Sequence, residues 1–197
     1  MNLKKAYFIV FLVLVIDQIS KIYVKTHFAL QDEVKVFEWF RFLFVENEGM
    51  AWGVELPGIY GKLFLTTFRI FAVIGIGYWL WDSVRKQCSS LLIFALSLIL
   101  AGAFGNIIDS VFYGVIFNHS EMQVATLFSN EPYGTWFYGK VVDMFYFPIW
   151  SGDLPMWIPV LGGKHFTFFN AIFNVADIAI STGVGMLIVF NKKAFEK

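Results

Sequence analysis

The sequence predicts an all-α membrane protein with four transmembrane helices and a smaller external part that contains strands. Three observations carry this. Apolar residues make up 58% of the 197-residue chain and charged residues only 15%, against roughly a quarter charged in a soluble domain. Four windows are long and apolar enough to cross about 30 Å of hydrocarbon. Basic residues gather in three short flanks that four spans would place on one side of a bilayer.

The windows are Ala6 to Val24, Leu63 to Trp81, Leu91 to about Tyr113, and Phe169 to Phe190. The first follows Lys4-Lys5 as a secretory leader would. Its apolar run Ala6 to Ile16 is followed by Asp17-Gln18-Ile19-Ser20-Lys21 rather than a small-x-small cleavage site, and apolar residues continue through Ile22-Tyr23-Val24. It is therefore expected to be a retained span. Lys4 and Lys5, Arg85 and Lys86, and Lys192, Lys193 and Lys197 mark the cytoplasmic side. Both termini are then inside, and residues 25–62 and 114–168 form external segments of a single integral membrane domain spanning 1–197.

Trp39, Trp52, Trp136, Trp150 and Trp157 fall in those external segments, which suits a position at headgroup level. Val34 to Phe44 is rich in β-branched and aromatic residues in partial alternation. Gly49, Gly53, Pro57, Gly58 and Gly61 follow it, so strands with turns are expected. The stretch 114–140 reads as an irregular insertion. Equal numbers of acidic and basic residues, 15 each, argue against nucleic acid as a partner. The single Cys88 and the scattered His27, His119 and His165 form no metal-ligand pattern, and no cofactor is expected.

Ionisable residues inside spans cost at least about 2.5 kcal/mol each by insertion scales, so each requires a reason. Asp17 and Lys21 stand at i and i+4, the favourable order for a self-satisfied ion pair. Arg69, six residues into the second window, reads as a snorkelling residue or the partner of an acid. Asn106 and Asp109 share a helix face at i and i+3, and Asn174 and Asp177 repeat the spacing in the fourth window. Two such faces would enclose a polar pocket, with the small residues of Ala101-Gly102-Ala103 allowing close approach. Asp143 lies in the apolar stretch Val141 to Phe145 and reads as a loop aspartate held against the membrane.

Two carboxyls held close cannot both ionise at neutral pH, so one stays charged and the other keeps a proton. The charged one can activate water against a peptide carbonyl, while the protonated one donates to the carbonyl oxygen. This chemistry requires no metal. Spacing alone does not choose which two of Asp17, Asp109, Asp143 and Asp177 form the pair.

Five motifs resemble those of the bacterial lipoprotein signal peptidase family, also called signal peptidase II. They are Asp17-Gln18-Ile19-Ser20-Lys21, Asn47-Glu48-Gly49-Met50-Ala51-Trp52-Gly53, Gly105-Asn106-Ile107-Ile108-Asp109, Val141-Val142-Asp143-Met144-Phe145 and Phe173-Asn174-Val175-Ala176-Asp177. They stand in the family's order and cover most of the chain. The resemblance implies four transmembrane helices, an external β-cradle and a short external helix. It implies an aspartic endopeptidase that cuts diacylglyceryl-modified prolipoproteins just before the lipidated cysteine. Asp143 and Asp177 align with the catalytic pair. Asn47, Asn106 and Asn174, with Asp109, Gly49 and Trp52, align with positions that bind substrate, or the inhibitor globomycin in the case of the asparagines. Asp17 and Lys21 align with supporting positions. The implied partners are a lipidated prolipoprotein and membrane lipids. The implied location is a bacterial inner membrane, with the site near its outer face and a monomer as the default state.

Two departures stand out. Ser110 occupies the place of a ligand-contacting arginine, for which Lys140 or Arg69 are candidate substitutes. The stretches Ser110 to Gly139 and Pro148 to Phe166 are longer than the family's. Two other functions compete: a small proton- or ion-coupled transporter, and a non-catalytic scaffold whose acids only fix packing.

Overall fold

The computed structural model describes residues 1–49, 59–160 and 162–196. The chain begins with α1 (Leu3–His27), capped by the Asn2 side chain, which accepts from the Lys5 amide at 2.9 Å. Strands β1 (Glu33–Phe37) and β2 (Phe40–Asn47) follow, then α2 (Ile59–Arg85) and α3 (Ser90–Ile108). The last of these runs on through a π-helical turn (Asp109–Tyr113) to Ile116. Next come β3 (Val141–Tyr146), β4 (Trp150–Asp153), β5 (His165–Phe168) and β6 (Ile172–Phe173). Helices α4 (Val175–Val189) and α5 (Asn191–Phe195) complete the chain.

Three helical stretches, Leu3–His27, Tyr60–Arg85 and Ser90–Ile116, are long and apolar enough to cross a membrane. Two of them face outward with large apolar side chains, such as Phe8, Phe11 and Ile19 on α1 and Phe64, Phe68 and Phe71 on α2. Lipid rather than water suits such a surface. Helix α3 is the hub, packed against the other three long helices, with Ile93, Ala95, Leu96 and Ala101 fully buried. It approaches α4 so closely that a Cβ at Gly102 would collide with the Ala176 carbonyl.

The fourth apolar window, expected over 169–190, is corrected. Its helix starts at Val175 and covers 15 residues, about 22 Å at 1.5 Å per residue. The reason is local. Asn174 accepts from the Asp177 amide at 2.9 Å and Asp177 caps back onto the Asn174 amide. Ile172 and Phe173 meanwhile pair with β3. A capping box and strand pairing prevail over apolar continuity.

The all-α expectation is likewise qualified by an antiparallel four-stranded sheet of order β1-β2-β3-β6. Asp143, expected in a loop, stands on the interior strand β3, opposite Val45 of β2. The 114–140 stretch is not a loose insertion. Phe117, Ser120 and Ala125 are buried, and Phe117 and Ala125 join Val24, Phe44, Tyr113, Val142 and Met144 in a second core beneath the sheet. The Leu30 amide donates to the Ser120 carbonyl at 2.8 Å and the Ala125 amide to Lys25 at 3.2 Å.

Lys25 pins this layer. Its fully buried ammonium donates to Glu46 and, at 2.8 Å, to the Ser120 hydroxyl. The rings of Phe117 and Tyr133 stand 5.2 and 4.9 Å from it. Removing one partner of a buried pair strands the other charge. Lys25→Met should therefore cost about 3–5 kcal/mol, read as a lowered unfolding midpoint of the detergent-solubilised protein. The double variant Lys25→Met/Glu46→Leu should recover most of that loss.

Candidate active site

The site is built on a buried ion cluster where α1, α3 and α4 meet. The Lys21 ammonium lies 2.9 Å from Asp17 Oδ2 and 2.9 Å from Asp109 Oδ2. It also donates to Asn106 Oδ1 at 2.9 Å. All three charged side chains are shut off from solvent. Gln18, which sequence reasoning passed over, donates to Asp17 at 3.1 Å and to Asp109 at 3.0 Å, and accepts from the Tyr113 hydroxyl at 3.1 Å. Gly105 makes room for this, since a Cβ there would stand 2.6 Å from Asp17 Oδ2.

Both carboxylates of the cluster also reach one step further. Asp17 Oδ1 accepts from the Ala176 amide at 2.9 Å, directly before Asp177. Asp109 Oδ2 accepts from the Val142 amide at 3.3 Å, directly before Asp143. Asn106, its oxygen engaged by Lys21, turns its amide nitrogen onto Asp177 Oδ1 at 2.9 Å.

Asp143 and Asp177 are joined through Asn174. Its side chain donates to Asp143 Oδ1 at 2.7 Å and to Asn106 Oδ1 at 3.2 Å, and its backbone amide reaches Asp177 Oδ2 at 3.4 Å. Asn47 donates to the other Asp143 oxygen, Oδ2, and accepts from the Gly49 amide at 2.6 Å. Gly49 has φ of +100°, a region open mainly to glycine, and its carbonyl accepts from Arg69. Among the described residues, Arg69 thus donates to backbone and forms no ion pair with an acid.

Asp143 and Asp177 line one cavity of about 970 Å³. Its wall includes Asn47, Gly49, Arg69, Asn106, Lys140 and Phe169–Phe173, and it continues along α4 past Ile178, Ile180, Ser181 and Thr182. Of the expected site residues, Asn47, Gly49, Asn106, Asp143 and Asp177 therefore meet, with Asn174 buried directly behind them. Asp109, expected to bind substrate, does not line the cavity; it sits fully buried in the ion cluster with Asp17 and Lys21. Trp52 lies outside the described residues. Ser110 is buried, its hydroxyl donating to the Asn106 carbonyl at 2.9 Å. Both candidate substitutes for the arginine, Arg69 and Lys140, line the cavity. Among the described residues, no three His, Cys, Asp or Glu side chains are grouped as metal ligands would be.

Burial raises the Asp143 carboxyl from its ordinary 3.8 to about 8, with the nearby Asp177 charge acting in the same direction. Lys21 and the Asn174 hydrogen bond oppose this only partly. At neutral pH the pair therefore holds a proton.

These features define a multi-pass membrane protein whose polar groups converge on a carboxyl pair beside a cavity, at the junction of helices and sheet. Comparison with known proteins narrows this. The sequence model described as Signal peptidase (SPase) II matches residues 9–192, and the chain belongs to that family. It is 51% identical over 183 residues to a lipoprotein signal peptidase of Porphyromonas gingivalis (strain ATCC 33277), covering 92% of this chain and 80% of the relative. It is 41% identical over 199 residues to a lipoprotein signal peptidase of Amoebophilus asiaticus (strain 5a2), covering 96% and 78%. Among solved structures, a bacterial membrane enzyme determined by the in meso method at 1.9 Å superposes with a TM-score of 0.64 at 24% identity, covering 97% of this chain and 94% of the other. That likeness concerns the fold. Family membership makes the protein a peptidase of the membrane.

The shifted carboxyl has a signature in stability. Between about pH 4 and pH 8 an unfolded chain has released the Asp143 proton while the folded chain retains it. Stability therefore falls as pH rises through that window and levels off on either side. Asp143→Asn keeps the size and removes the titration. Its unfolding midpoint, measured against that of the wild type, should gain steadily from about pH 5 to about pH 8 and no further.

Proposed function

We propose that the protein is an aspartic endopeptidase that removes the signal peptide from diacylglyceryl-modified prolipoproteins, cutting just before the lipidated cysteine. The observation that carries this reading is the Asp143–Asn174–Asn106–Asp177 hydrogen-bonded chain, whose two carboxyls and Asn106 line one cavity with Asn174 buried behind them. Family membership supplies the substrate class, because the relatives are lipoprotein signal peptidases.

In this mechanism the ionised carboxyl of the pair takes a proton from water, and the hydroxide formed attacks the scissile carbonyl. The protonated carboxyl gives its proton to the carbonyl oxygen. Collapse of the tetrahedral intermediate breaks the C–N bond: the proton taken from water passes to the leaving amine of the cysteine, and one hydroxyl of the intermediate returns its proton to the donor carboxyl as the new carboxyl group forms. Asp143, buried and raised to about 8, suits the donor. Asp177 sits in the first turn of α4, where the helix dipole favours negative charge, and suits the base. Asn47, Asn106 and Asn174 hold both carboxyls in fixed orientation. Gly49 and Trp52 are assigned to the substrate backbone and its flanking side chains. Asp17, Lys21 and Asp109 act as support.

We assign four membrane crossings, with α4 as the helix of the fourth and Lys192 and Lys193 of α5 at its cytoplasmic end, both termini cytoplasmic and the site at the outer face of the bacterial inner membrane. A monomer suffices. The transporter reading is less favoured. It requires charge through the full membrane depth, yet Val73 to Leu80 and Gly183 to Phe190 contain no Asp, Glu, His, Lys or Arg.

The test is cleavage of a diacylated prolipoprotein by purified protein. Asp143→Asn and Asp177→Asn should each lower kcat by about 100- to 10,000-fold, the usual contribution of acid–base groups, with folding retained. Wild-type rates in both variants would overturn the assignment. Activity should persist in EDTA and be blocked by globomycin; loss to EDTA with recovery on zinc would place the chemistry in another class.

A further inference from the structure

The segment between β3 and β6 forms a second structure whose shape the peptidase reading does not use. Phe145 pairs with Phe173 and Tyr146 with Ile172 in the main sheet. Beyond equal gaps, 147–149 and 169–171, the same register resumes with Trp150 opposite Phe168 and Asp153 opposite His165. The strands β4 and β5 are thus the outer half of one antiparallel ribbon rooted at the cavity, whose wall includes Phe169. From Phe145 to Asp153 it extends about 26 Å at 3.3 Å per residue.

The two faces of this outer half differ in chemistry. Directly opposed residues share a face, and faces alternate along a strand. Ser151, Thr167, Asp153 and His165 therefore share one face and are mutually bonded. Ser151 Oγ lies 2.9 Å from His165 Nε2 and 3.0 Å from Thr167 Oγ1, and His165 Nδ1 lies 3.0 Å from Asp153. The other face carries Trp150, Phe168 and Phe166, all exposed.

The tip is more apolar still. Residues 154–163 contain no charged residue. Met156, Trp157 and Val160 are 86%, 80% and 88% exposed. Backbone bonds close its base. The Leu154 amide donates to the Lys164 carbonyl at 3.0 Å and the Gly163 amide to Leu154 at 2.8 Å. At the root, stacked rings continue the aromatic surface. Phe37 stacks on Trp39, Trp39 on Phe147 and Phe147 on Phe173, with Phe169 edge-on to Phe173.

We propose that this ribbon is a membrane-interface anchor. Its Trp150, Phe166 and Phe168 face and its Met156–Val160 tip lie among the headgroups and upper acyl chains of the leaflet that borders the cavity. Lipid is the occupant that fits. The apolar surface belongs to a chain whose long helices cross a bilayer. Tryptophan and phenylalanine on one side of a polar-backed element are the composition of interfacial elements. The polar face turns its bonded hydroxyl, imidazole and carboxylate groups toward water. The ribbon then fixes the height of the cavity mouth relative to the lipid surface, so that a substrate held by its acyl chains meets the site in register. This inference rests on the membrane-spanning architecture and not on the identity of the reaction.

The experiment measures depth in full-length protein with Cys88→Ser as background, reconstituted in phosphatidylethanolamine–phosphatidylglycerol vesicles. Nitroxides are attached singly at Trp157→Cys, Val160→Cys, Phe166→Cys and Ser151→Cys. At 157, 160 and 166, collisions with dissolved oxygen should exceed those with a water-soluble nickel chelate several-fold, and the preference should reverse at 151. The agreement of three positions guards against one substitution loosening the tip. Nickel access at 157 and 160 equal to that at 151 would overturn the anchor. So would shielding that arises only when a lipidated peptide is added, which would make the ribbon a lid on substrate. Prolipoprotein cleavage by the same samples is read separately, so failure of the anchor and failure of the peptidase assignment are distinguishable.

Discussion

The Lys21 ammonium is the interaction on which the remainder of the site depends. A lone buried cation between helices would be expelled or neutralised. Here two carboxylates and an amide oxygen surround it at 2.9 Å. The consequence reaches past charge balance. Asp17 and Asp109 are held such that Asp17 Oδ1, and the same Asp109 Oδ2 that faces Lys21, take the backbone amides of Ala176 and Val142. Those amides immediately precede Asp177 and Asp143. The same cation selects the orientation of Asn106, leaving its nitrogen for Asp177. One charge thus sets the positions of two acids 34 residues apart in the chain, on a helix start and on a strand.

That arrangement explains what the sequence discloses and what it conceals. The long apolar windows and the strand-forming run near Val34 to Phe44 are legible because they are local and periodic. The Asn-x-x-Asp spacing in the third and fourth windows is also legible, but its meaning differs between them. In α3, Asn106 and Asp109 share a face, with Asn106 serving the cavity and Asp109 the ion cluster. At Asn174 the same spacing is a capping box, which ends the apolar window as a helix and starts α4 six residues late. Spacing does not distinguish a helix interior from a helix start when both are flanked by apolar residues.

Other elements were hidden because their partners are remote. Lys25 and Glu46 are ordinary charged residues at a helix end and on a strand until the fold closes them among Phe117, Tyr133 and Ser120. Gln18 carries no signal of its own, although it lies inside a recognisable motif. Asp143 reads as a loop residue because Val141 to Phe145 is short and uniformly apolar. Only pairing with β2 on one side and β6 on the other reveals an interior strand. Arg69 illustrates the converse. Its position in a span demands a partner, and the partner is a glycine carbonyl that no charge pattern would indicate.

On the proposed reading, the acid pair has to satisfy two opposed demands. A diacylated cysteine is held in lipid by about 0.8 kcal/mol for each buried CH₂, so the site must come to the membrane. Hydrolysis requires water, so it must not come to the middle of it. A carboxyl pair assembled from a helix N-terminus and a sheet strand occupies the one zone that meets both conditions. There the first turn of α4 gives its amides to Asp17 and Asn174, and the strand offers a side chain to each face in turn. A site built only within helices would have lain deeper and drier. A site built only on the sheet would have lacked Lys21 and the small-residue contact at Gly102 that brings α3 against α4. The mixed construction joins the four-stranded sheet to the apolar helices at the point where Asp143 and Asp177 line the cavity.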